Sequence, residues 1–283
     1  MRIQPECIPC ILRQALETCK IATEEESKWE EALQKVAYSL SKTTFDNVTP
    51  LEVSHNAQRI VRRVTGVSDP YEDLKKRSNR KAMRTYSNLK KRVSDSEDTF
   101  YTATKIAIAG NVIDVGPGHE FEIKETIENV LGREFSINHF DFFKREVKNA
   151  DKIFYLGDNA GEIVFDRIFL EELPGKEITF FVRNSPILND VTIKEVKSVG
   201  LDQLSEIKKI KTEKQDSRLD GITEDFFDKL KNADVVISKG QGNYEAFSGI
   251  DANIFYLLMV KCSLVAESLE RKEGDIIIKA ARY

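Results

Sequence analysis

The stretch Ile153-Phe154-Tyr155-Leu156-Gly157-Asp158-Asn159-Ala160-Gly161-Glu162 decides the fold class. Four apolar residues, bounded by Asp151-Lys152 and Gly157, read as a buried strand. The segment from Ile163 to Leu173 then reads as an amphipathic helix. The same alternation repeats outward. Ile178–Val182 reads as a strand and Val191–Val199 as a helix. Phe226–Leu230 is helical, and Val235–Ile237, Ile254–Val260 and Asp275–Ile278 are strands. Strands alternating with helices predict βαβ units in a mainly parallel sheet with helices on both faces.

The first half differs. From Pro9 to Leu131 apolar residues fall at helical spacing, as in Ile11-Leu12, Ala15-Leu16 and Cys19. Pro50 opens one helix and Gly66 ends it. Tyr71–Val93 forms a long helix, Thr99–Ala109 another closed by Gly110, and Phe121–Leu131 a further one. The expected architecture is therefore α/β: a three-layer, Rossmann-like, mainly parallel sheet with an N-terminal all-helical subdomain. The division falls at 1–135 for the helices and 136–283 for the α/β catalytic unit.

Composition narrows the function. The 283 residues are 41% hydrophobic, enough for a core without disulfides. Lys and Arg number 43 against 47 Asp and Glu, a formal net charge of −4, which argues against a dedicated nucleic-acid binder. The basic run from Lys75 to Arg92 reads as a solvated helix face, with a lesser reading as an attractor of anionic substrates. No apolar run approaches the roughly 20 residues of a membrane span, and Met1–Glu6 has no signal-peptide layout. Four cysteines make no disulfide framework, so a cytoplasmic location is expected. Cys7 and Cys10 suit either packing at a helix start or a partial metal or redox role.

Ligands of an open parallel sheet bind beyond the carboxyl ends of its strands. Three loops fall there. Gly157–Glu162 offers an acid and an amide at a strand end and leads into a helix whose free N–H groups suit an anion. It is neither a dinucleotide fingerprint nor a phosphate loop of the Gly-x-x-x-x-Gly-Lys kind, and Asp158 or Asn159 would equally suit a helix cap. Arg183–Asp190 should lie beside it, with Asn189 or Asp190 as a cap or a ligand and Arg183 as a surface or site residue. Ser238-Lys239-Gly240-Gln241-Gly242-Asn243 joins a lysine to a glycine-rich turn, suited to phosphate or to an ordinary solvated loop. Together they gather Asp, Asn, Asp and Lys at one sheet edge. Oxygen donors of this kind favour hard divalent cations such as Mg²⁺ or Mn²⁺. A carboxylate-held cation beside a lysine is what phosphoryl transfer or phosphate-ester hydrolysis needs.

The segments Cys7-Ile8-Pro9-Cys10, Asn111-Val112-Ile113-Asp114, Gly157–Glu162, Asn189-Asp190-Val191-Thr192 and Ser238–Asn243 follow one another in this order. In this the chain resembles the damage-control phosphatase family, long known as domain of unknown function 89, in its compact microbial type. The resemblance runs over essentially the whole chain. It implies a metal-dependent phosphatase for small phosphate esters, such as sugar phosphates or damaged and surplus phosphometabolites. It implies Asp158, Asn159 and Asp190 as ligands of a divalent cation (Mn, Mg, Co or Ni) and Lys239 on the phosphate; the sequence leaves either metal-bound water or Asp158 itself as the nucleophile. Asn111 and Asp114 would come from the helical part to the substrate pocket. Glu162, Arg183, Gly240, Gly242 and Asn243 complete the expected substrate contacts. A small phosphorylated metabolite is the expected partner, without nucleic acid or membrane; oligomeric state has no sequence signal. Two other readings stand beside this one: an S-adenosylmethionine-dependent carboxyl methyltransferase, an activity also proposed within the family, and a non-catalytic metabolite binder.

Overall fold

The five apolar runs of the second half all become strands. The computed structural model describes residues 1–44, 46, 48–112, 120–210, 212–214 and 220–282. The chain begins with helices α1 (Cys7–Ala22), α2 (Glu26–Ser41), α3 (Pro50–Thr65), α4 (Glu72–Ser94), α5 (Thr99–Val112) and α6 (Glu120–Leu131). There follow β1 (Ile137–Asn138), α7 (Phe140–Asn149), β2 (Lys152–Leu156), α8 (Glu162–Leu170), β3 (Glu177–Val182), α9 (Ile193–Ser198) and β4 (Glu206–Lys209). A small antiparallel pair, β5 (Thr212–Lys214) and β6 (Asp220–Ile222), precedes α10 (Glu224–Lys231). The chain continues through β7 (Val235–Lys239), α11 (Gln241–Phe247), β8 (Ile254–Met259), α12 (Ser263–Leu269) and β9 (Ile276–Ala280).

The main sheet runs β1-β9-β8-β7-β2-β3-β4. All its pairings are parallel except β8 with β9. The expected α/β, mainly parallel architecture is thus what forms. Its chain order reverses direction at β2: β3 lies on one side and β7 on the other. That is a topological switch point, where the carboxyl ends of β2 and β7 open a crevice.

Alternation along each strand separates two apolar layers. Phe255 and Leu257 of β8 face the cluster that holds Ile163, Phe165 and Phe169 of α8, while Tyr256 and Leu258 face Phe226, Tyr244, Phe247 and Val265 on the other side. Helices α4, α5 and α6 contribute Leu89, Ile106 and Val130 to the first of these layers, so they pack with the sheet. Helices α1–α3 close on their own cluster around Ile11, Ala15, Val36, Val53 and Val61.

Helix α3 is framed as its sequence predicts. Thr49 and Glu52 form a reciprocal capping box, Pro50 opens the helix, and Gly66 closes it at φ +78°. Gly110 differs from expectation, because α5 runs through it to Val112. A methyl group there would come within 2.8 Å of Phe165 and 3.2 Å of Glu162, so the glycine serves close helix packing rather than termination. That approach brings Asn111, the next residue, onto the sheet edge. The basic run on α4 also departs from a purely solvated face. Lys75 is fully buried, 2.7 Å from Asp69 and 3.5 Å from Glu195. Lys90 pairs with Glu171 and Glu172, and Arg92 with Glu128. No helix among the described residues is long and apolar enough to cross a membrane.

Candidate active site

The loops after β2 and β3 are zipped together by backbone. Asn159 and Asp190 form an isolated antiparallel bridge. The Ala160 amide donates to Asn189 at 2.9 Å, and the Val191 amide to Asp158 at 2.9 Å. The side chains therefore need not cap helices, and they do not. Helix α8 begins at Gly161 with no side-chain cap, while Thr192 caps α9 by donating its amide and hydroxyl to Glu195 at 2.9 and 2.6 Å. Asp158, Asn159 and Asp190 are left for another purpose.

All three line one cleft of about 590 Å³, which also takes Asn111, Arg183, Gly242, Cys7, Cys10 and Lys261 into its walls. Helices α1 and α3 roof it with Gln14, Leu51 and Ser54. Asn111 donates through Nδ2 to Asp158 Oδ2 at 3.0 Å and Glu162 Oε2 at 3.1 Å, strapping α5 to the sheet edge. Asn159 Nδ2 donates to the same Asp158 oxygen at 2.7 Å. Arg183 Nε donates to Asp190 Oδ2 at 2.6 Å. Asn243 ties the ends of β2 and β7 by donating to the Gly157 carbonyl at 3.1 Å and the Lys239 carbonyl at 2.8 Å. Gly240, at φ +77°, lies flat against Asp158: a Cβ there would sit 1.9 Å from Oδ2. Of the expected contacts, Asp114 lies outside the described residues.

Lys239 departs from expectation. It is neither solvated nor in the cleft wall but fully buried behind it. Its Nζ donates to the Ala107 carbonyl at 2.9 Å, to Glu162 Oε1 at 2.8 Å and to Asp166 Oδ1, which also accepts from the Tyr155 hydroxyl at 2.7 Å. Three acceptors use up an ammonium's three donors, leaving none for a phosphate. The exposed cation in the cleft wall is instead Lys261, in the loop after β8. Sequence reading passed over it, although the rule that singled out the other strand ends applies equally here.

The electrostatics follow from these positions. Burial pushes the Asp158 carboxyl well above the usual carboxylate range, and the nearby Glu162 and Asp190 carboxylates push the same way. Asp190 is also raised by burial, with Arg183 opposing. For Lys239, burial disfavours the ammonium, but Asp166 and Glu162 outweigh it and raise its pKa. Lys261 and Arg183 oppose the rise at Asp158 without cancelling it, so ionisation of the carboxyls on this rim is disfavoured.

A divalent cation fits this donor set. Two carboxylates and an amide carbonyl are hard oxygen donors, and the repulsion among the carboxylates is what a cation would relieve. Among the described residues no three His, Cys, Asp or Glu side chains converge as a complete cage. Cys7, Cys10 and Cys262 are free thiols on the cleft wall, on the side of Gln241.

Known proteins match the chain over essentially its whole length. The family model described as "Damage-control phosphatase ARMT1-like domain" matches residues 3–277. The chain is 31% identical over 288 residues to a protein of Pyrococcus horikoshii named damage-control phosphatase, covering 100% of this chain and 99% of that one. It is 30% identical over 290 residues to an uncharacterized protein of Methanocaldococcus jannaschii, covering 98% and 95%. The crystal structure of a DUF89 family protein from Pyrococcus horikoshii superposes with a TM-score of 0.88 at 30% identity, over 100% of both chains. With a match from end to end in sequence and in fold, the chain belongs to the damage-control phosphatase family, as a bearer of its ARMT1-like domain.

Proposed function

We propose that this protein is a metal-dependent phosphatase of small phosphate esters, of the sugar-phosphate or damaged-phosphometabolite kind. Asp158, Asn159 and Asp190 would hold the cation. The observation that carries this reading is the cluster of Asp158, Asn159 and Asp190 at the β2/β7 switch point, inside a cleft that also holds an exposed lysine. The names of its relatives supply the reaction class. A bound divalent cation supplies charge neutralisation at the phosphate oxygens.

The chain's own residues divide the remaining work. Lys261, which lines the cleft, would supply the positive charge that meets the phosphate. Arg183 orients Asp190 through the bond from its Nε. Asn111 and Gly240 fix Asp158 from two sides, one by hydrogen bonding and the other by contact. Glu162 is held by Asn111 on one oxygen and Lys239 on the other, so Lys239 acts as a positioning residue. Asn243 keeps the two strand ends in register. Cys7 and Cys10 help wall the cleft from α1, which gives the substrate's organic part a half-buried surface.

Phosphate release from p-nitrophenyl phosphate and a sugar-phosphate panel tests the reading. The protein is stripped with chelator and reloaded with Mg²⁺, Mn²⁺, Co²⁺ or Ni²⁺. Activity should return with metal and fall by about 10³-fold in Asp158→Ala, equivalent to roughly 4 kcal/mol of transition-state stabilisation. Absence of turnover with every metal, together with metal-free binding of S-adenosylmethionine, would overturn it.

A further inference from the structure

Arg183 lines a second, much smaller cavity besides the cleft. This one, of about 20 Å³, is walled by His55 and Arg62 of α3, by Arg183, Asn184 and Ser185 at the end of β3, and by isoleucines. Its walls contain two guanidiniums, an imidazole, an amide and a hydroxyl, and no carboxylate among the described residues. Arg183 is 3% exposed. Its Nε is used by Asp190, but its Nη2 is buried with no hydrogen-bond partner. His55 Nε2 is buried and partnerless as well. Burial first, then the charges of Arg183 and Arg62, drive the His55 pKa down to about 3, so the imidazole is neutral and can donate from Nε2.

Buried donors without acceptors are rare, because leaving them dry carries the full desolvation penalty. A water would fit the space, but it brings no charge to a lining that holds two guanidiniums and, among the described residues, no carboxylate. A phosphate or carboxylate group is too large for a space on the scale of a single water. We propose that this cavity binds one halide-sized monovalent anion, chloride under ordinary conditions, with Arg183 Nη2 and His55 Nε2 as donors and Arg62 as the supporting charge. The anion would tie α3 to the loop that carries Asp190, so it would brace the rim of the cleft from behind. The proposal concerns a separate site and does not rest on the phosphatase reading.

Thermal unfolding of the intact metal-free protein tests it, in sodium chloride or bromide against sodium gluconate at equal ionic strength. Halide should raise the midpoint saturably, by about 2 °C or more once the site is filled. The gain should vanish in Arg62→Met, or in Ser185→Leu if the first variant does not fold. Crystals grown in bromide should show an anomalous peak beside Arg183 Nη2. An equal rise in gluconate overturns the proposal, as does a halide effect that survives both variants or a cavity without the bromide peak. Each readout is independent of turnover, so failure of the phosphatase assay leaves the test intact.

Discussion

Two pairs of carboxylates meet at Glu162 and are treated in opposite ways. Behind the cleft, Glu162 and Asp166 share the ammonium of Lys239, and Tyr155 adds a hydroxyl donor to Asp166. In front, among the described residues, Asp158 accepts from the amides of Asn111 and Asn159, and Asp190 from the guanidinium of Arg183. Both pairs are buried. Charge answered from within the chain is a structural device, whose removal leaves an orphaned ion in a low dielectric. Charge left unanswered at the mouth of a cleft is a stored cost that a ligand relieves.

The contrast breaks most sharply at Lys239. Lys239→Met leaves Glu162 and Asp166 without a counter-charge in a fully buried layer, so stability should fall by about 3–5 kcal/mol. Asp158→Asn, in metal-free protein, removes a charge that burial, Glu162 and Asp190 all oppose. Its stability should be unchanged or raised by roughly 1 kcal/mol, although activity is lost. Urea unfolding of both variants in chelator makes the comparison. Equal destabilisation by the two substitutions would erase the distinction between rear and front.

Gly240→Ala sharpens the front. The added methyl would fall 1.9 Å from Asp158 Oδ2, on a backbone at φ +77°. Activity should drop by about 10–100-fold, the scale of displacing a positioned group. Gly66→Ala is the control, because its φ of +78° is the same but nothing lies within 4 Å. It should lose stability of order 1 kcal/mol and keep its turnover. A Gly240→Ala enzyme with full activity would mean that Asp158 needs no backing.

What the sequence disclosed and what it withheld follow the same division between local and distant causes. Runs such as Ile153–Leu156 and Val235–Ile237 announce themselves as strands because both their faces are buried. Strand β4, Glu206-Ile207-Lys208-Lys209, does not, because it is a largely exposed edge strand with only Ile207 to mark it. The antiparallel direction of β9 leaves no mark in a short strand whose first three residues are all isoleucine. At the site, Asp158 and Asn159 lie just beyond the end of β2, and Asp190 is brought beside them by the loop after β3. Whether they capped helices was open until Thr192 and Glu195 were seen to form their own box. Lys239 misled because its two acid partners come from one turn of α8, more than 70 residues away. Nothing near Lys239 in sequence signals that its ammonium is enclosed.

A further expected effect lies on the opposite side of Arg183 from this acidic chemistry, in a lining without carboxylates among the described residues. His55 has its pKa lowered from 6.5 to about 3 by burial, then by Arg183 and Arg62. Below pH 6.5 the unfolded chain therefore takes up a proton that the folded chain refuses. The stability associated with neutral His55 is complete above pH 6.5 and is lost progressively as pH falls toward 3. At pH 5 the loss should reach about 2 kcal/mol in anion-free buffer. His55→Gln keeps a donor and cannot titrate, so its stability should change less between pH 7 and pH 5 by that amount. Urea unfolding of both proteins at the two pH values measures the difference. A filled anion site should shrink it, because a negative charge beside the imidazole offsets the two guanidiniums and lets the folded state accept the proton earlier. Chloride would then flatten the wild-type pH dependence while leaving His55→Gln unmoved, and an identical pH slope in the two proteins would remove His55 from the account.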